Sequence, residues 1–231
     1  MKVDVGAEPG GAPNSLRGRI RAIRDGIADA ARRAGREPSD IALVGVTKTR
    51  PREDVIAAIG AGLSDVAESY VQEARVKYAL LPPARKHFIG HVQTNKAKAI
   101  VETFDVVQSI DRLDAGRAIA KAARNLGKPV STLLQINISP EDRFGGEPSD
   151  AAALATRLRV DEGLTVDGVM AIGPNTQDRE LIARAFGRAA ETLRAVGGDT
   201  LSIGMSGDWE QAIACGSTML RIGTAIFGAR A

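Results

Sequence analysis

The stretch "LVGVTKTRP", Leu43 to Pro51, joins an apolar run to a lysine and then to a proline. Aliphatic and β-branched residues dominate the run, which predicts a β-strand. Pro51 predicts the start of a helix, because proline is well tolerated in the first helical turn. Side chains alternate between the two faces of a strand, so Val44, Val46 and Lys48 share one face. The question is what a lysine does at the end of that face.

The same strand–helix unit recurs along the chain. The predicted strands are "IALVGVTK" (41–48), "DVAES" (65–69), "KHFIGH" (86–91), "DVVQSID" (105–111), "STLLQINIS" (131–139), "VDGVMAIG" (166–173), "TLSIGM" (200–205) and "MLRIGTAIFG" (219–228). A helix is predicted after each strand except the last. This alternation indicates a parallel sheet covered by helices, and eight units in roughly 200 residues favour a single (β/α)₈ TIM barrel. A doubly wound open sheet is the alternative.

The region before the first strand predicts an additional N-terminal helix. It runs from Leu16 to Ala34, with Asn14 or Ser15 as its cap and its apolar residues on one face. Residues 1–13 lack the apolar core of a signal peptide and are predicted to be a disordered tail. No linker or change in composition divides residues 14–231, which we therefore expect to form one domain.

Composition restricts the classes of partner. The net charge of the 231 residues is +3, and the arginines are dispersed rather than gathered as a phosphate-tracking surface requires. The single cysteine, Cys215, forms no internal disulfide, which fits a reducing compartment. No apolar run approaches the roughly 20 residues of a membrane helix. We expect a cytoplasmic protein with no nucleic-acid or membrane partner.

The two last loops of the predicted barrel are candidates for a phosphate site. Barrels of this type act at the carboxyl ends of their strands and commonly bind phosphate with the loops after strands seven and eight. Here those loops read "GMSGD" and "RIGTAIFG". Ser206 is predicted to begin a helix and to offer both its hydroxyl and its amide, while Gly223 permits close backbone approach. The alternative is two tight turns with no ligand.

Lys48 is the candidate nucleophile at the mouth of the barrel. Partial desolvation favours the neutral amine, which is the form that attacks carbonyl groups. Arg221 lies on strand eight, which abuts strand one in a closed barrel, and it offers donors to a ring nitrogen. With the phosphate loops, this set indicates pyridoxal 5′-phosphate held as a Schiff base on Lys48. From spacing alone, the lysine of a class I aldolase is an equally good interpretation of Lys48. The simplest interpretation is a solvated lysine with no chemical role.

Several ordered motifs carry a resemblance to a known family. They are "VTKTRP", "ESYVQEA", "HFIGHVQTNK", "SIDR", "LLQINIS", "GVMAI", "GMSGDWEQAIACGST" and "RIGTAIFGAR". From about Ile41 to Arg230 the chain resembles the pyridoxal-phosphate homeostasis proteins, the YggS/PROSC group. The resemblance implies a fold-type III barrel, similar to the N-terminal domain of alanine racemase. The cofactor-binding residues that it implies are Lys48 (the Schiff base), Ser69, Ser206, Arg221, Gly223 and Thr224.

One motif departs from the family pattern. The family usually reads "FGENYVQE", whereas this chain has "VAESYVQE", so Ala67 replaces a glycine and Ser69 replaces an asparagine that contacts the cofactor. Serine is shorter and offers no amide, so we expect this contact to be lost or bridged by water. The resemblance therefore implies a somewhat reduced affinity for the cofactor.

The resemblance also implies a carrier rather than an enzyme. Related racemases need a tyrosine from a second domain of a partner subunit, and the barrel fills this chain, whose Tyr70 and Tyr78 are expected to pack. We expect no catalytic residue, a monomer, and pyridoxal-phosphate-dependent apo-enzymes as recipients of the cofactor. A low-activity racemase-like enzyme with His91 or Asp111 as a proton relay is the alternative, and a scaffold with a vestigial site is a third. No third ligand accompanies His87 and His91, so no metal site is predicted.

Overall fold

Eight parallel strands close into a barrel in the computed structural model, which describes residues 15–141 and 143–228. Each strand pairs with its sequence neighbours, and β8 pairs with β1. The strands are β1 (Ala42–Val46), β2 (Asp65–Glu68), β3 (Arg85–Phe88), β4 (Val106–Ile110), β5 (Ser131–Ile136), β6 (Thr165–Ala171), β7 (Thr200–Ser202) and β8 (Met219–Ile222). The predicted (β/α)₈ architecture is confirmed, and the open sheet is excluded.

A helix follows every strand, and one precedes the first. The helices are α1 (Leu16–Arg33), α2 (Arg52–Gly60), α3 (Val71–Tyr78), α4 (Ala97–Thr103), α5 (Leu113–Leu126), α6 (Ala151–Val160), α7 (Arg179–Val196), α8 (Trp209–Ala214) and α9 (Thr224–Phe227). The additional N-terminal helix is confirmed, and its cap is Ser15, whose hydroxyl accepts from the Gly18 amide. Within the described ranges, no helix is both long and apolar enough to cross a bilayer.

Three expectations about these elements need correction or stay open. The expected absence of a helix after the last strand was wrong, because α9 follows β8 directly. The strands are shorter than predicted, so that Lys48 lies in a turn two residues beyond the end of β1. The predicted tail of residues 1–13 lies outside the described residues.

The main core lies between the strands and the surrounding helices. The helix α1 contributes Ile20, Ile27, Ala30 and Ala31, all buried, and it packs beside α8 and α9 near the seam where β8 meets β1. Burying a side chain such as Ile20 stabilises the fold by about 1.5–3 kcal/mol. The N-terminal helix therefore packs on the outside of the barrel beside the last two helices, near β8, which carries Arg221, and β1, which leads to Lys48.

The interior of the barrel is partly polar. Val44, Ala67 and Met219 form a small apolar cluster there, with Val46 packed against it. The predicted apolar face of β1 beneath Lys48 is thus confirmed. Several other interior side chains are charged or hydrogen-bonding, Arg221 and Gln108 among them, although bulky aliphatic residues usually fill such barrels. This polar interior is a specific feature of the site described next.

Candidate functional site

Lys48 lies at the mouth of the barrel in the turn that links β1 to α2, and it is partly buried. Within residues 15–141 and 143–228, its ammonium group has no hydrogen-bond or ion-pair partner. The strand register pairs Val44 with Arg221, so Lys48 and Arg221 belong to the same β8–β1 seam. The structure therefore places both residues along one seam, with Lys48 four residues beyond the strand position that pairs with Arg221.

The residue after Lys48 has an unusual backbone conformation. Thr49 has a φ of 65°, the left-handed region, and it is the one described residue other than glycine with a positive φ. This region is rare for β-branched residues, and a residue held there costs about 1–3 kcal/mol. The amide of Thr49 donates to Oε1 of Glu73 at 3.1 Å, which supports the turn.

A buried ionic cluster lies beneath this turn, between the barrel and α3. Lys77 Nζ donates to Glu68 Oε2 at 2.8 Å, to Glu73 Oε1 at 2.6 Å and to the Thr47 carbonyl at 2.7 Å. The side chain of Glu68 is fully buried and that of Lys77 is 5% exposed. The Thr47 hydroxyl lies 2.7 Å from the hydroxyl of Tyr78. Each polar group of the cluster is thus satisfied, as burial requires.

Arg221 is buried inside the barrel. Its guanidinium donates to the Ser202 carbonyl at 2.7 Å, to the Ser202 hydroxyl at 2.6 Å and to the Ala171 carbonyl at 2.9 Å. Burial lowers the pKa of Arg221 to about 10, although the nearby Asp208 opposes the shift. The side chain remains a cation at neutral pH. These three bonds leave two of its five N–H groups for another acceptor.

A continuous chain of hydrogen bonds leads from Arg221 through the barrel interior. The Ser202 hydroxyl accepts from Arg221 and donates to Oε1 of Gln108 at 2.7 Å. Nε2 of Gln108 lies 2.8 Å from Nδ1 of His87, and Nε2 of His87 lies 2.9 Å from Oδ1 of Asp65. The carboxylate only accepts, so the proton of a neutral His87 resides on Nε2 and Nδ1 accepts from Gln108. Every donor then points from Arg221 towards Asp65.

The last two members of this chain, His87 and Asp65, hold their charge states by different means. Burial lowers the pKa of His87, and the bond to Asp65 only partly opposes this shift. For Asp65, burial raises the pKa, but hydrogen bonds from His87 and Ser64 outweigh it, and the net pKa lies below its ordinary value. The folded state therefore favours a neutral imidazole beside an ionised carboxylate.

The loops after β7 and β8 present small polar groups at the mouth. Ser206 and Thr224 are exposed, and the Ser206 hydroxyl accepts from the Ala225 amide at 3.4 Å. The Thr224 amide has no partner within the described ranges. A Cβ added at Gly223 would make only ordinary contact with Val46. The two loops are thus joined by this bond, and within the described residues no crowding requires glycine at 223, while the phosphate site remains a prediction.

The expectation that Ser206 begins a helix was wrong. The helix α8 begins at Trp209, and Ser206 lies in a turn. The carboxylate of Asp208 accepts from the Met205 amide at 2.6 Å and closes this turn ahead of the helix. Burial raises the pKa of Asp208. Gly204 precedes the turn with a φ of 98°, and a Cβ there would lie 2.6 Å from that of Ala212, so the approach needs glycine.

Ser69 follows β2 at the same mouth. It lies two residues beyond Ala67 and thus continues the interior face of the strand. Its amide donates to Oε1 of Glu68 at 2.7 Å, which ties it to the buried cluster. A Cβ at Gly90 would lie 1.9 Å from the Ser69 carbonyl oxygen, so the loops after β2 and β3 touch only because residue 90 is glycine.

The mouth above β3 to β5 carries a separate polar group. His91 Nδ1 lies 3.5 Å from Oδ2 of Asp111, and its ring stacks on Phe144 with centroids 4.3 Å apart. Asp111 also pairs with Arg112 at 2.8 Å. His87 lies apart from His91, in the barrel interior. No group of three or more potential metal ligands occurs in the described residues.

Sequence reasoning missed the buried cluster and the interior chain. Val71, Ala74 and Lys77 follow each other at three-residue spacing on the buried side of α3, so a lysine on an apolar stripe was the available signal. Gln108 and Ser202 are polar residues within apolar strand motifs and gave a similar signal. Tyr78 packs as expected and also bonds to Thr47, whereas Tyr70 is 62% exposed, so its expected packing was wrong.

Comparisons with known proteins agree with this architecture. Residues 19–231 match the family model "Alanine racemase, N-terminal domain". A pyridoxal phosphate homeostasis protein of Pseudomonas aeruginosa is 43% identical over 209 residues, which cover 88% of this chain and 91% of that protein. A protein of the same name from Escherichia coli is 38% identical over 232 residues, covering 94% and 97% of the two chains.

A solved structure is similar over the whole barrel. PipY of Synechococcus elongatus, with pyridoxal phosphate bound, is 29% identical with a TM-score of 0.80, covering 93% of this chain and all of that chain. Fold and site thus define a barrel of the alanine racemase N-terminal-domain class. Within that class, the chain belongs to the pyridoxal phosphate homeostasis protein family.

Proposed function

We propose that this protein binds pyridoxal 5′-phosphate as a Schiff base on Lys48 and takes part in homeostasis of the cofactor. The names of the relatives and the pyridoxal phosphate bound to PipY support the ligand. The observation that carries the proposal is the β8–β1 seam, where a lysine without a partner among the described residues stands at the mouth and a buried arginine retains free N–H groups.

The polar groups at the mouth fit the parts of this cofactor. Lys48 supplies an amine for the aldehyde, and Arg221 supplies an N–H donor for the pyridine nitrogen. The exposed hydroxyls of Ser206 and Thr224, with the backbone at Gly223, supply donors for the phosphate. Ser69 stands at the mouth for a further contact. The cofactor would supply the aldehyde for a reversible bond to Lys48. This bond would let the protein store the cofactor and release it.

Condensation of the Lys48 amine with the aldehyde of the cofactor needs no further reactant. The lone pair of the neutral Lys48 amine forms the bond to the aldehyde carbon. The amine loses two protons, and the carbonyl oxygen leaves with them as water, so nothing is oxidised or reduced. Hydrolysis reverses the step, which suits a carrier that hands its ligand to recipient apo-enzymes.

A non-catalytic role is part of the proposal. A guanidinium facing the pyridine nitrogen donates a hydrogen bond but does not keep that nitrogen protonated, which weakens the cofactor as an electron sink. Of the two tyrosines, Tyr78 is buried against Thr47, and Tyr70, the residue before α3, is exposed to solvent. We propose a monomeric carrier that acts in the cytoplasm and delivers the cofactor to pyridoxal-phosphate-dependent apo-enzymes.

Hydride trapping tests the ligand and the linkage together. The purified protein is mixed with pyridoxal 5′-phosphate, reduced with borohydride and mapped by peptide mass spectrometry. We expect a reduced adduct on Lys48 that Lys48→Ala abolishes. The matched control is Lys98→Ala, because Lys98 is an exposed lysine on α4 that pairs with Glu102 at the surface. An adduct spread over exposed lysines and retained by Lys48→Ala contradicts the proposal.

Proton exchange at the α-carbon tests the carrier role separately. The loaded protein is incubated with L-amino acids in deuterated water, and deuterium at Cα is followed by mass spectrometry. We expect no incorporation above that of free cofactor. Incorporation at enzyme-like rates that requires Lys48 overturns the carrier role and favours the racemase-like alternative, in which His91 or Asp111 relays the proton.

A further inference from the structure

The turn that carries Lys48 is fixed on both sides of the lysine. Before it, the Thr47 carbonyl accepts from Lys77 at 2.7 Å, and the Thr47 hydroxyl bonds to Tyr78 and to the Ala67 carbonyl. After it, the Thr49 amide donates to Glu73 at 3.1 Å. Among the described residues, the Lys48 side chain has no partner of its own, so the bonds of its neighbours hold this turn.

The bonds of Thr47 fix the backbone that leads into Lys48. The Thr47 side chain is fully buried, against Glu68 and Tyr78. Lys48 is the next residue and the first of the turn at the mouth. A bond that holds Thr47 in place therefore also holds the backbone from which the Lys48 side chain leaves.

The left-handed conformation of Thr49 needs support from its surroundings. A strained residue persists where neighbouring contacts over-determine it. Here Glu73 receives the Thr49 amide, and the same Oε1 receives Lys77 at 2.6 Å, so that one carboxylate oxygen joins the turn to the buried cation. Glu68, fully buried, completes the cluster with Lys77 at 2.8 Å.

We infer that Lys77, Glu73 and Glu68 are positioning residues that aim Lys48 at the barrel mouth for its condensation with the cofactor. This inference rests on the proposed Schiff base at Lys48. The cluster also explains why Lys77, the other lysine near the turn, is not the reactive amine. Its Nζ faces three acceptors, which match the three N–H donors of an ammonium group and leave no free lone pair.

The matched pair Glu73→Ala and Glu73→Gln tests this inference. The side chain of Glu73 is 34% exposed and Glu68 remains paired with Lys77, so both variants are expected to fold. Alanine removes the acceptor for the Thr49 amide, whereas the glutamine carbonyl oxygen replaces it. Two measurements are made: amide hydrogen–deuterium exchange of residues 47–50 without cofactor, and the rate of condensation of Lys48 with pyridoxal 5′-phosphate.

Glu73→Ala is expected to expose the Thr49 amide to exchange in the cofactor-free protein. It is also expected to slow condensation about tenfold, because a small misplacement of a reacting group is costly. Glu73→Gln is expected to restore both amide protection and a rate within about threefold of the original protein, since the bond to the Thr49 amide remains. Rescue by glutamine distinguishes positioning from a general loss of stability.

The results separate failure of the inference from failure of the proposed function. If the unaltered protein forms no reduced adduct at Lys48, the proposed function fails and takes the aiming role with it. If the adduct forms and Glu73→Ala condenses as fast as the unaltered protein, the inference is wrong and the function stands. Equal slowing by alanine and glutamine, with protection of the Thr49 amide retained, also overturns the inference.

Discussion

Two corners of the barrel mouth hold their polar groups in opposite ways. At the β1–β2 corner, Lys77, Glu68 and Thr47 are buried, and each is bonded. At the β7–β8 corner, Ser206 and Thr224 are exposed, and one long bond of 3.4 Å engages the Ser206 hydroxyl. Buried charges must be satisfied within the protein and so fix a geometry. Exposed donors remain available, so the second corner is suited to receive an anion from outside.

The largest effect on the free energy of unfolding is expected when the buried corner loses a charged residue. Lys77→Met leaves the carboxylate of Glu68 buried without its cation, so the free energy of unfolding is expected to fall by about 3–5 kcal/mol. Urea denaturation measures it. The double variant Lys77→Met/Glu68→Gln is expected to recover part of the loss, because it removes the uncompensated charge. A loss below about 1 kcal/mol for Lys77→Met contradicts the assignment of this pair as a buried ion pair.

A smaller effect is expected in the barrel interior. Ser202→Ala removes an acceptor of Arg221 and the donor to Gln108, and the unpaired groups are expected to cost about 1–3 kcal/mol. Thermal or urea unfolding measures this cost. The control is Ser149→Ala, an exposed serine for which a change within about 0.5 kcal/mol is expected. Equal effects of the two substitutions show that the interior chain adds nothing to stability.

Acidification is expected to weaken the same interior chain through His87. Its pKa is lowered in the folded state, so the unfolded chain binds the proton first as the pH falls. The contribution is complete above the unfolded pKa of about 6.5 and is lost below it, at up to about 1.4 kcal/mol per pH unit, until the folded pKa is reached.

Urea titrations between neutral and mildly acidic pH measure this slope. His87→Gln is the matched variant, because it removes the titrating group and keeps an amide that can bond to Gln108. We expect the variant to lose the slope in that window. Identical pH profiles for the two proteins show that His87 is not the group responsible.

The smallest effect on stability is expected at the exposed corner. Ser206→Ala is expected to change the free energy of unfolding by less than about 0.5 kcal/mol, since the residue is exposed. It is expected to weaken binding of pyridoxal 5′-phosphate about tenfold or more, through loss of one hydrogen bond to a charged group. Spectroscopic titration measures the affinity, and pyridoxal, which lacks the phosphate, is the control ligand. Equal weakening for both ligands places Ser206 away from the phosphate.

Much of the fold and part of the candidate site could be predicted from the sequence. Alternation of short apolar runs with amphipathic helices predicted the closed barrel, and alternation within one strand placed Val44 and Val46 beneath Lys48. The strand order also predicted that Arg221 lies beside β1. The roles of Lys48, Ser69, Ser206, Arg221, Gly223 and Thr224 in binding a cofactor remain predictions.

Other features could not be predicted, because they depend on contacts between distant elements. The prediction that Ser206 begins a helix was wrong. The carboxylate of Asp208 accepts from the Met205 amide and closes a turn ahead of α8. The chain from Arg221 to Asp65 joins residues of four strands, β8, β7, β4 and β3, to a fifth, β2. No local pattern encodes the direction of such a chain.

The sequence by itself determined the barrel and the place of Lys48 at its mouth, because strand periodicity and helix amphipathicity are local properties that each segment expresses alone. The tertiary structure decided the backbone around that lysine. Its neighbours Thr47 and Thr49 are bonded to Lys77 and Glu73 from the next helix, and Thr49 is in the left-handed conformation. Orientation of a reactive group depends on burial and pairing of charges, which arise only when separate elements meet.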